Sequence, residues 1–157
     1  MILRAILWFA LTLAIFSPAK ADDLRDTATA AQIADVGTTA IGLALGAAEA
    51  NPLGLLTLGA KAVAHQRISA APAVEQPRLW GLYGAFGWGA AANNLCVIGT
   101  VASGGSLAPV CPLLGLVVGK AAWDSSSAQR EEDTFAAICA DAKASNPALY
   151  CAYTPQE

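Results

Sequence analysis

Two carboxylates interrupt an apolar run. Residues 34–54 read ADVGTTAIGLALGAAEANPLG, almost wholly Ala, Gly, Leu, Ile, Val and Thr, with Asp35 and Glu49 inside and Asn51-Pro52 near the end. An ionised carboxylate removed from water is costly, so it pairs, lines water or stays near an interface. Thr38 and Thr39 stand close to Asp35. Asp35 and Thr39 lie one helical turn apart and can share a polar strip. Lys61 is the next cation along the chain. If the chain turns at Asn51, Asp35 lies about 24 Å back and Lys61 about 15 Å on. That register is about 9 Å out and predicts no direct pair without a tilt. Asn93 and Asn94 can hydrogen-bond across helices. These five polar residues, Asp35, Thr38, Thr39, Asn93 and Asn94, are the candidate intramembrane group.

The remaining polar residues offer little chemistry. Glu49 falls at a helix end within reach of water. Asn51 can cap the next helix through its side-chain oxygen, and Pro52 suits that helix's first turn. His65 has no acid or cysteine near it in sequence and reads as a solvated residue at a helix end. Ser103 and Ser106 sit in a glycine-rich loop without a Gly-x-Ser-x-Gly elbow, and no phosphate loop, dinucleotide fingerprint or metalloprotease motif occurs. With one histidine and no Cys-x-x-Cys, a zinc site is not expected. The expectation is a protein that is not an enzyme and needs no cofactor.

Four cysteines suit an oxidising compartment. Three pairings are possible. The sequence-local one, Cys96–Cys111 with Cys139–Cys151, is favoured because each pair spans a helix–turn–helix connection.

The elements that position these residues read as five helices. They run over about 26–50, 53–68, 78–98, 110–123 and 126–144. The first carries Ile33, Val36, Ala40, Ile41, Ala44, Leu45 and Ala48 at helical spacing. The third opens LWGLYGAFGWGAAA, where Gly81, Gly84 and Gly87 form a bare strip that lets a partner backbone approach closely. Trp80, Tyr83 and Trp88 supply bulk near that end, as at a membrane interface. Pro112 falls in the first turn of the fourth helix. Ser126 with Gln129 fits a capping box for the fifth, whose apolar face is Phe135, Ile138, Cys139 and Ala142. Residues 52–62 and 112–121 share a Pro-Leu-rich start, a Gly and a Lys, which suggests two similar helical hairpins.

Composition sets the compartment and excludes some partners. Arg4, the 12-residue apolar run 5–16, Ser17-Pro18 and the Ala19-Lys20-Ala21 site read as a cleavable signal peptide over residues 1–21. Its removal leaves seven Lys and Arg against 12 acids, a net charge of −5, with no basic stripe for nucleic acid. The full chain is 55% apolar and 13% charged, and with Ala and Gly prominent this suits close-packed helices in or against a membrane. Residues 22–123 then form a two-hairpin helical domain, and 124–157 a polar C-terminal helix and tail closed by a disulfide.

Two architectures follow. The favoured one is all-α, with four membrane-embedded helices in two hairpins and the tail in the periplasm. It conflicts with a Cys96–Cys111 bridge, which falls on the reducing side, and with the positive-inside rule. The other is an exported helical bundle that hides its Ala/Gly surfaces in itself, in an oligomer or against a bilayer.

The pattern Asp35-x-x-Thr38-Thr39, Glu49-x-Asn51-Pro52-Leu53 and then Lys61 resembles a group of small bacterial and phage membrane proteins of unknown function. In these a helix with Asp and Thr ends in a Glu-x-Asn-Pro turn and the next helix carries a Lys. The likeness covers about residues 32–62; the signal segment and cysteine tail depart from it. It implies a membrane location and no activity.

The functional expectation is a small non-catalytic protein of the inner membrane and envelope. Its partners are the lipid bilayer and either a second copy or another membrane protein. Alternatives are a channel or membrane-permeabilising protein, motivated by Asp35 and Thr39 on one helix, and a soluble periplasmic module that binds an apolar ligand.

Overall fold

The computed structural model describes residues 23–45, 54–102 and 108–154. Regular structure there is entirely helical: α1 Leu24–Ala44, α2 Gly54–Ser69, α3 Gln76–Ala102, a 3-10 turn Ala108–Val110, α4 Cys111–Ser125 and α5 Ser127–Ser145. The expected all-α fold with five helices is observed, and both sequence-local disulfides form, Cys96–Cys111 and Cys139–Cys151. The signal segment, the Glu49-Asn51-Pro52 turn motif, Ser103 and Ser106 lie outside the described residues.

Local chemistry explains the helix ends. The Asp23 carboxylate accepts the Arg25 N–H at 2.8 Å and opens α1, satisfying one of the orphan donors of the first turn. The helix closes at Ala44, six residues before the predicted end, where the Leu45 N–H donates to the Ile41 carbonyl at 3.1 Å. Pro112 takes the first turn of α4, as expected. The Ser126 side chain does not cap α5 as the capping box predicts. The Ser126 hydroxyl instead donates to the Trp123 carbonyl at 3.0 Å and accepts from Arg130, because the chain passes from α4 into α5 with a single intervening residue.

The longest helix, α3, is the axis of the molecule. On one side α1 runs parallel to it, with Gly84 against Ala28 and Gly87 against Ala31 and Gln32. A methyl group on Gly87 would fall 2.8 Å from the Ala31 side chain, so only glycine permits this approach. On another side α4 runs antiparallel, with Gly89 facing Gly115 and Gly119. Gly84 and Gly89 are five residues apart, about 140° round the helix, so the two neighbours take different faces. Against α1 and α3 the second helix makes only a narrow, antiparallel contact. Leu24, Ala28, Ile68 and Trp80 form the buried core there, with Leu79 and Tyr83 against it. At the N-terminal end of α3, the Arg130 guanidinium lies 3.5 Å over the Trp123 ring, and both side chains fill the space left by Gly81.

Three expectations need correction. Gly81, Gly84 and Gly87 do not face one partner, because each three-residue step drifts about 60° round a helix. Gly84 and Gly87 receive α1, while Gly81 receives Trp123 and Arg130. The first hairpin is also loose, since α1 packs chiefly on α3 rather than on α2. Finally, membrane-embedded hairpins are not supported. No helix among the described residues is long and apolar enough to cross a membrane, and the Cys96–Cys111 bridge closes at the end that a spanning topology assigns to the reducing side. Gln32 and Asp35 in α1, Lys61, His65 and Arg67 in α2, and Asn93 and Asn94 in α3 lower the apolar content of each helix.

Candidate functional site

Asp35 is 4% exposed and lies where α1, α2 and α3 meet. The Lys61 ammonium donates to its Oδ2. Asn94 Nδ2 donates to its Oδ1 at 2.7 Å and to Thr39 Oγ1 at 2.9 Å, with a longer approach of 3.4 Å to Thr38 Oγ1. The buried Thr38 hydroxyl reaches back to the Ala34 and Asp35 carbonyls at 2.9 and 3.0 Å. One helical face therefore delivers Asp35, Thr38 and Thr39 together, as their spacing implies, and Asn94 meets them from α3. Asn93 does not join them. It sits about 100° round the helix and lies against Gly115 of α4.

The Asp35–Lys61 ion pair overturns the expected 9 Å mismatch. Because α1 stops at Ala44, the count along two straight helices from Asn51 does not apply, and the flexible four-carbon lysine stem reaches the carboxylate.

A second set of bonds registers α2. The Tyr83 hydroxyl donates to the Lys61 carbonyl at 3.0 Å, and Gln32 Nε2 donates to the Tyr83 carbonyl at 2.6 Å. Gln32 Oε1 is buried and has no partner among the described residues. His65 is not a free solvated residue. Its ring meets Trp80 edge-on at 4.9 Å and Tyr83 at 6.3 Å, in an aromatic trio that backs the ion pair.

Electrostatics follows from burial. Desolvation lowers the pKa of Lys61, and Asp35 is the anion placed to offset that cost. Desolvation also raises the Tyr83 phenol, which keeps it a hydrogen-bond donor. Both carboxylate oxygens of Asp35 are occupied, one by an ammonium and one by an amide. As arranged, the group locks three helices together; it does not present a free base. Asn94 bridges Asp35 and Thr39. Among the described residues no cluster of three or more His, Cys, Asp or Glu could hold a metal ion.

No protein-family model, curated protein or solved structure matches the chain.

The site thus rests on geometry alone. Sequence reasoning found Asp35, Thr38, Thr39 and Asn94, weighed Lys61 but set it out of register, and missed Gln32 and Tyr83 as partners. It also missed the second glycine contact, although the Gly115-x-x-x-Gly119 spacing is a legible signal for close helix approach. The two lysines of the apparent repeat have different roles: Lys61 is half-buried against Asp35, whereas Lys120 is exposed and pairs with Asp124 one turn on at 2.5 Å.

Proposed function

We propose that this is a non-catalytic protein of an oxidising, exported compartment that works by contact: it packs helix faces against itself or a partner. The carrying observation is its exposed apolar surface. Phe86 is 76% exposed, Leu116 71%, Ile33 67% and Val117 66%, while the buried core holds few large side chains. Such surfaces mark interaction sites more often than idle ones. Two further observations support the reading. The buried polar group is spent on internal bonds, and the two disulfides fit an oxidising compartment. The likeness of residues 32–62 to small bacterial and phage membrane proteins agrees with a role at the envelope.

Fractionation tests this directly. The oxidised protein should leave the freely soluble pool, either as a homo-oligomer by light scattering or with the membrane pellet, and carbonate or high-salt washing should not release all of it. A protein that remains a free monomer in every fraction would sink the proposal.

A further inference from the structure

The two disulfides differ in what surrounds them. Cys111, the first residue of α4, is 0% exposed, and the Thr100 hydroxyl lies 3.7 Å from its sulfur. Its bridge to Cys96 joins two helices that already pack backbone to backbone through Gly89, Gly115 and Gly119. A thiolate must reach a disulfide sulfur directly to exchange with it, so this bridge reacts only after the α3–α4 hairpin opens. Cys139–Cys151 has no such cover. Both of its cysteines are half-exposed, and no residue of α5 is buried. Residues 143–150 are all exposed, and Tyr150, which precedes Cys151, is 87% exposed.

The second bridge is also what ties the tail down. Residues 146–154 contain no helix or strand. Their backbone bonds are local: the Asn146 N–H donates to the Ala142 carbonyl at 3.0 Å, and the Leu149 N–H to the Asn146 carbonyl at 3.0 Å. The Tyr153 ring packs on Phe135 of α5 with centroids 5.4 Å apart. One turn and one ring contact do not outweigh the conformational entropy of ordering that segment. The covalent link from Cys151 to Cys139 supplies the rest, by removing most of the free chain's alternatives.

We propose that Cys139–Cys151 is a reducible latch, opened by an external dithiol, that frees the chain beyond Ser145 while Cys96–Cys111 stays closed as a fixed strut. In the first step a thiolate of the dithiol bonds to one sulfur of the bridge. The Cys139–Cys151 S–S bond breaks, and the other cysteine leaves as a thiolate that takes a proton from water. The second thiol of the dithiol then displaces the bound cysteine. Two electrons have passed: the reductant ends as a disulfide, and Cys139 and Cys151 end as thiols. Release of Tyr153 uncovers Phe135 one turn from Ile138, itself 53% exposed, so the redox state sets which side chains α5 presents.

The test uses the full, oxidised protein, exposed to dithiothreitol at neutral pH without denaturant, quenched with N-ethylmaleimide and mapped by peptide mass spectrometry. Cys139 and Cys151 should alkylate roughly tenfold or more faster than Cys96 and Cys111, which wait for the hairpin to open. Trypsin reads the release. Lys143 lies in the last turn of α5, inside the ring that the bridge closes, and cleavage there should rise roughly tenfold on reduction. Arg130, packed on Trp123, should stay as resistant as before. The variant Cys139→Ser/Cys151→Ser should keep its far-ultraviolet circular dichroism and be cut at Lys143 with no reductant present. The inference is overturned if the two bridges open together, if Cys96–Cys111 opens first, or if Lys143 still resists trypsin once Cys139 and Cys151 are alkylated. A double serine variant that loses its helical signal also overturns it, because the bridge is then a requirement for folding and not a latch.

Discussion

Asp35→Ala is the most informative single change. It removes the acceptor of the Lys61 ammonium and of one Asn94 amide bond. Breaking a buried pair from one side costs about 3–5 kcal/mol, because the partner charge stays behind. The Lys61 side chain keeps 20% of its exposure against 6% for Asp35, so water can partly resolvate the ammonium and the expected loss is about 2–3 kcal/mol. For a domain of this size that is a fall in melting temperature of about 8–12 °C. The assay is urea unfolding of the oxidised protein, followed by far-ultraviolet circular dichroism. Lys61→Met alone should cost a similar amount, since it strands a more deeply buried carboxylate. The double variant Asp35→Ala/Lys61→Met should recover to within about 1 kcal/mol of wild type, a coupling of about 2 kcal/mol or more. A single variant within about 0.5 kcal/mol of wild type, or a double variant equal to the sum of the singles, would refute the view that this pair holds α2 in place.

Other consequences can be checked on the same footing. A Cβ on Gly37 or Gly59 would meet nothing within 4 Å, so alanine at either helical position should stabilise by about 0.5–1 kcal/mol. Gly89→Ala should destabilise, because its methyl would lie 2.7 Å from the Gly115 carbonyl oxygen; thermal melts of the three variants give the comparison. Replacing Cys96 and Cys111 by serine releases a 15-residue separation and should cost about 3 kcal/mol, read as an earlier urea midpoint. The pKa of Asp133 is raised by burial and by repulsion from Asp23 and Glu132. Its folded state therefore holds the proton more tightly than its unfolded state, and the penalty is present at neutral pH and fades as pH falls. Asp133→Asn should raise the melting temperature at neutral pH, with the gain closing near about pH 3; a constant gain across that range would count against the assignment.

Much of this architecture is legible in the residues, and its failures have physical causes. Helical periodicity, Pro112 and the Ser69–Pro77 region of turn residues locate the helices to within a few positions. The exception is the end of α1, where an unbroken Ala/Gly/Leu run carries no stop signal before Asn51. That one boundary misplaces the register and hides the Asp35–Lys61 pair. Short loop closures make both disulfides readable. The parallel packing of α1 on α3 is not, because the apolar face that periodicity marks, with Ile33, Val36, Ile41 and Leu45, lies exposed, and the helix packs instead through Ala28, Ala31, Gln32, Asp35 and Thr38. Gly89 illustrates the point. It looks like its neighbours in a glycine-rich helix, and only the approach of α4 separates its role from that of Gly87.

The pairing of α1 with α3 also dictates an order of assembly. Asn94 and Asp35 are 59 residues apart, whereas Cys96 and Cys111 are separated by 15. The α3–α4 unit can close from local encounters, but α1 emerges first during synthesis and must wait for a helix made much later. Until α3 arrives, Asp35 lacks Asn94 and the glycine groove that receives Ala28 and Ala31 does not exist. The protein's final topology is sealed only when the C-terminal half has been delivered.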